Sequence, residues 1–88
     1  MTGSASKPIP RSFVEPVCLT LAAVIRERRR RAGWSLNQLA ARTGLSRQML
    51  SFVETERRVP TVDTVARISR ALELPLSKLF AAAERRLN

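Results

Sequence analysis

The 88-residue sequence has no histidine, no tyrosine and a single cysteine, and only seven of its residues are acidic. One thiol without histidine cannot assemble a zinc site, and Cys18 has no partner for an internal disulfide. Cys18 reads instead as a small apolar residue of the first helix. There is no nucleophile–base pair, no metal-ligating constellation and no glycine-rich phosphate loop, so neither catalysis nor a cofactor is expected. Glu54 and Glu56 stand two apart on a helix, where their carboxylates diverge. No apolar run approaches the roughly 20 residues that span a bilayer, so no membrane partner is expected. The N-terminal stretch around Lys7, Pro8, Pro10 and Arg11 lacks the apolar centre of a secretion signal, which predicts a cytoplasmic protein. One domain with one core fits this length, leaving no room for a separate ligand-binding domain and predicting no small-molecule effector.

What the chain does have is positive charge. Sixteen Lys and Arg face the seven acids, giving a formal net charge of +9, and all but Lys7 and Lys78 are arginine. The planar arginine fork suits phosphate and the guanine edge, so the balance favours nucleic acid as partner. A basic surface by itself would also attract an anionic membrane or an acidic protein. The run Arg26-Glu-Arg-Arg-Arg-Arg31 reads as a mostly solvated helix end. Its four consecutive arginines spread around the cylinder instead of forming one stripe.

Leu, Ala, Val and Arg dominate, which favours helix over strand. Residues 1–14, rich in Gly, Ser and Pro, are expected to form a flexible arm, and residues 15–88 the folded domain. Ser12 and Glu15 have capping-box spacing, and Pro16 suits a first helical turn. Helix 1 then starts between Ser12 and Val17, carries Val17, Leu21, Val24, Ile25 and Ala32 on one stripe, and ends at Gly33. Ser35 with Gln38 forms a second capping box, opening a helix that buries Leu36, Leu39 and Ala40. Gly44 breaks it, and Ser46 caps a third helix with Leu50 and Val53 inward and Met49 beside them. A loop through Arg57, Arg58 and Pro60 follows. Thr61 caps helix 4, where Val62, Val65, Ala66, Ser69 and Leu72 repeat at helical spacing. Helix 5 begins near Pro75, with Leu76, Leu79, Phe80, Ala83 and Leu87 on one face. The fold class is therefore all-α, with five helices. Helices 2 and 3 are joined by so short a turn that they must cross steeply, leaving the third protruding as a probe for a DNA groove.

The segment Gly33-Trp-Ser-Leu-Asn-Gln-Leu-Ala-Ala-Arg-Thr-Gly-Leu-Ser-Arg-Gln-Met-Leu-Ser-Phe-Val-Glu54 and the segment Arg57-Arg-Val-Pro-Thr-Val-Asp-Thr-Val-Ala-Arg-Ile-Ser-Arg-Ala-Leu-Glu-Leu-Pro-Leu-Ser-Lys-Leu-Phe80 together closely resemble the Cro/repressor-type, or Xre-like, helix-turn-helix family. The match spans about Leu21 to Phe80. The resemblance implies a lambda-repressor-like five-helix domain that binds an inverted-repeat operator on double-stranded DNA as a homodimer. Helix 3 would enter the major groove. Carried over, the base-reading positions are Arg47, Gln48, Ser51 and Phe52. Arginine can donate two bonds to guanine and glutamine can pair with adenine, each worth roughly 1–3 kcal/mol of discrimination. Phe52 lies off the Leu50/Val53 stripe, where the family usually has a polar or basic residue. It could touch a thymine methyl or unstacked sugar edges, or fold back onto helix 2.

Asn37, Arg57 and Arg58 are the expected phosphate contacts, joined by the backbone amides at Ser35 and Ser46. The family also pairs an arginine at Arg29 with the glutamate at Glu54, implying an ion pair that orients helix 3 against helix 1. Phe80, Ala83 and Leu87 on helix 5 extend toward a dimer partner. Three positions depart from the family pattern. Leu36 replaces a glutamine that clamps phosphate, leaving that task to Asn37 or Gln38. Glu56 stands where Gly or Asn is usual, and is expected to point away or to pair with Arg57 or Arg58. Arg28 takes a usual Leu position, its stem covering core while its head reaches water.

These observations predict a transcriptional regulator, most simply a repressor acting by occupancy. An activator touching RNA polymerase would use the same site. The alternative is a protein-interaction module such as an antitoxin that binds a toxin and regulates its own operon.

Overall fold

The computed structural model describes residues 7–88, and among them five α-helices and no strand. They are α1 (Pro16–Arg31), α2 (Leu36–Thr43), α3 (Arg47–Glu54), α4 (Val62–Ala71) and α5 (Leu76–Arg85). The first six residues of the expected arm lie outside the described residues. Residues 7–14 are exposed and outside any helix, with one turn in which the Phe13 N–H donates to the Pro10 carbonyl at 3.0 Å. Ser12 sits in that turn, so the capping box expected with Glu15 does not form. Glu15 is the N-cap without a side-chain bond, and Pro16 opens the helix with no donor to lose.

The other helix starts follow their capping residues. Ser35, Ser46 and Thr61 each accept the backbone N–H three residues on. Ends are set by residues in left-handed conformation. Gly33 (φ +79°) closes α1 in a Schellman motif, its N–H donating to the Arg30 carbonyl while Trp34 N–H donates to that of Arg29. Glu56 and Glu73 do the same after α3 and α4 at φ +63° and +55°, where glycine would be unstrained.

The core is one cluster: Leu21, Val24 and Ile25 of α1, Leu39 of α2, Leu50 and Val53 of α3, Val65 and Ile68 of α4, Leu79 and Ala83 of α5. Helix α1 packs along α5 and touches α3, while α4 bridges α2 and α5. Two expectations fail here. Val62, the first residue of α4, is 76% exposed although Thr64 and Val65 of the same turn are buried, and Ile68, absent from the expected stripe, is fully buried. Ala32 is exposed as the C-cap of α1, outside its buried stripe. No helix among the described residues is long and apolar enough to cross a membrane.

Candidate nucleic-acid interface

The starts of α2 and α3 are built alike. Ser35 Oγ accepts from the Gln38 N–H at 3.1 Å, and Gln38 Oε1 accepts from the Ser35 N–H at 2.8 Å. That box occupies the Gln38 oxygen and leaves Asn37 exposed as the polar side chain of the first turn. At α3, Ser46 Oγ accepts from Met49 N–H at 3.0 Å. The box at α2 satisfies two amides and the Ser46 cap at α3 one, and other amides of each first turn have no intrahelical acceptor, at the positive end of the helix dipole. Leu36, at the departed glutamine position, is half-buried against the core.

Burial of Leu50, Val53 and Glu54 fixes which face of α3 remains outside. Arg47 and Gln48 are exposed, and Ser51 and Phe52 are half-buried on the same outward side. The helix is held from behind by α1. Arg29 Nε donates to Glu54 Oε2 at 2.7 Å, and Nη2 donates to Oε1 at 2.9 Å. Both side chains are nearly buried, at 11% and 4% exposure. The Glu54 carboxylate raises the Arg29 guanidinium further above its already high range, against the opposing effect of burial. Arg29 Nη1 also donates to the Trp34 carbonyl at 2.8 Å, so one side chain joins α1, the entry to α2 and the end of α3.

Several contributors carried no sequence signal. Arg26 Nη1 donates to the Glu54 carbonyl at 3.2 Å, so two arginines of the basic run serve the end of α3. Arg30 and Arg31 are exposed, and Arg28 is half-buried. The α2–α3 turn is tied to α4 by Arg67, whose Nη1 donates to the Thr43 carbonyl at 3.2 Å while Nε donates to Asp63 at 2.9 Å. Thr43 is itself buried, its Oγ1 donating to the Leu39 carbonyl and accepting the Leu45 N–H. Arg42 stacks over the Trp34 ring at 4.2 Å. Helical periodicity gives faces within one element; it does not say which residues meet across 24 or more positions.

Beyond α3 the chain folds back. Arg57 and Arg58 both donate their N–H to the Phe52 carbonyl, at 2.8 and 3.2 Å, and the Arg58 guanidinium lies 5.5 Å from the Phe52 ring centre. Both arginines are exposed. Glu56 is exposed at the bend, and none of the ion pairs among the described residues includes it. The half-buried Phe52 ring thus has the Arg58 guanidinium of this loop beside it.

Phe80 of α5 is 36% exposed and Ala83 is fully buried; Leu87, expected on the same helix, is 47% exposed but lies past its end, in the turn after Arg85. The expected dimer position at Ala83 is corrected: its methyl belongs to the core of the single chain, and its neighbours one turn away face outward.

Residues 25–79 match the helix-turn-helix family. Among curated proteins the chain is 36% identical over 68 residues to the HTH-type transcriptional regulator SutR of Escherichia coli (strain K12), covering 77% of this chain and 38% of that protein. It is 38% identical over 63 residues to the HTH-type transcriptional regulator SlrR of Bacillus subtilis (strain 168), covering 70% and 41%. The chain thus spans about two fifths of the length of these relatives. Among solved structures, a wild-type restriction-modification controller protein superposes with a TM-score of 0.76 at 21% identity, over 85% of this chain and 96% of that one. At that identity the likeness establishes the fold alone.

Proposed function

The chain belongs to the helix-turn-helix family of transcriptional regulators, of the Xre-like kind, and from that premise we propose that it reads a specific double-stranded DNA sequence as a dimer and represses transcription there. The observation that carries this reading is the outward face of α3. Arg47 and Gln48 stand exposed in its first turn, next to the capped N-terminus at Ser46, on a helix immobilised by Leu50, Val53 and the Arg29–Glu54 pair. In this reading Arg47, Gln48 and Ser51 face base edges. Ser35, Asn37, Ser46, Arg57 and Arg58 face phosphates, fixing the register. The dimer is proposed to form through α5 and the turn after it, where Phe80 and Leu87 remain exposed.

Selection from a randomised duplex library tests it. The reading requires an inverted repeat with half-sites about 34 Å apart, or a multiple of that spacing. Binding without a preferred sequence, fading steeply with salt, would reduce the protein to phosphate attraction and remove the operator reading. A second reading, a module that binds a partner protein such as a toxin, is favoured by one feature. Val14, Leu19 and Val59 are exposed and line one small cavity, near exposed Phe13. Co-purification of a stoichiometric partner would select that reading.

A further inference from the structure

We infer that Phe52 acts in DNA binding as a positioning residue, its ring holding Arg58 beside α3 so that the guanidinium meets the DNA backbone, and that it does not itself read a base. The inference rests on the DNA-reading role proposed above and changes the part that the family resemblance gives to Phe52.

Three observations converge on it. The left-handed backbone at Glu56 turns the chain sharply after α3. The N–H groups of Arg57 and Arg58 then close onto the Phe52 carbonyl, which brings residue 58 back over residue 52. Finally, the Arg58 guanidinium stands 5.5 Å from the centre of the half-buried Phe52 ring, within cation–π range. A guanidinium attracted to a ring face keeps its N–H donors free at the edges, where a phosphate can accept them. An unrestrained arginine on a loop surrenders rotamer freedom when it takes a phosphate. The ring removes part of that cost beforehand. An arginine lying against the ring also hinders a thymine methyl from using the same surface.

The test compares wild type, Phe52→Leu, Phe52→Tyr, Arg58→Gln, Arg58→Lys and the Phe52→Leu/Arg58→Gln double variant. Each is titrated at several salt concentrations on a random-sequence duplex and on any library-selected duplex. Phe52→Leu should weaken binding about two- to fivefold, and Phe52→Tyr, which keeps the ring, should not. Arg58→Gln should lower the salt slope by about 0.9 per protomer. In that background Phe52→Leu should cost nothing further, and no substitution at position 52 should alter base preference. Arg58→Lys, which keeps charge without the planar stack, should bind more weakly than wild type. It touches no core residue, so it reports on the contact even if Phe52→Leu destabilises the fold. Additive effects, a changed base preference in Phe52→Leu, or wild-type affinity in Arg58→Lys would each overturn the inference. Because the coupling is measured on random duplex too, failure to select any sequence would count against operator reading alone.

Discussion

Arg29 ties three elements at once, because its guanidinium satisfies a buried carboxylate and a loop carbonyl together. Arg29→Ala would leave Glu54 buried and unpaired, and should cost about 3–5 kcal/mol in urea unfolding followed by the fluorescence of Trp34. A loss under about 1 kcal/mol would mean that water reaches Glu54. Glu73 offers the opposite sign. It holds a left-handed conformation at φ +55° that disfavours side chains with a Cβ, so Glu73→Gly should stabilise by about 1 kcal/mol in the same assay. A destabilised variant would contradict the strain assigned there. At this scale the sequence was unevenly legible. Gly33 and Gly44 advertised their positive φ, but Glu73 did not, since its conformation follows from the Schellman closure around it and not from its own chemistry. The Arg29–Glu54 pair was reached only through family resemblance, for nothing local links residues 25 apart.

Helix starts were the most readable elements, because a cap is a contact over three residues and leaves its pattern in the sequence. Ser35, Ser46 and Thr61 each cap the helix that their spacing announced. Ser12 did not, because Pro10 and Phe13 close a turn around it first. Inward faces were less readable. Val62 fits the helical repeat of α4, yet only the packing of α4 between α2 and α5 decides that burial begins at Thr64 and Val65 and leaves Val62 outside. Ala83 shows the same limit on α5, where a small apolar residue serves core or interface equally well until the partner helix is placed. Ser46→Ala removes the cap of α3 and should lower stability by about 1 kcal/mol, read from the thermal transition by circular dichroism. An unchanged transition would mean that the α3 start is held by its neighbours alone.

At the scale of the whole molecule, a net charge of +9 gives attraction for any polyanion, and recognition must be added to it by geometry. Helix α5 packs along α1, and an Arg86–Glu27 hydrogen bond joins the cap of α5 to α1, so a partner docking on α5 would also be held near α1. Self-association through α5 and the turn after it predicts that Phe80→Glu and Leu87→Glu each shift sedimentation from dimer to monomer while leaving the helical signal intact. A dimer that survives both substitutions would place the interface elsewhere. Operator affinity should fall with the dimer, since each half-site alone supplies only part of the contact.

The most direct measurement is library selection repeated with Arg47→Ala and Gln48→Ala, set against the wild-type result. If α3 reads the groove, each variant should relax preference at its own symmetry-related pair of positions, with discrimination there falling by about 1–3 kcal/mol and the rest of the operator unchanged. Equal weakening at every position, or no change, would show that these side chains do not touch bases and would contradict the account at its centre.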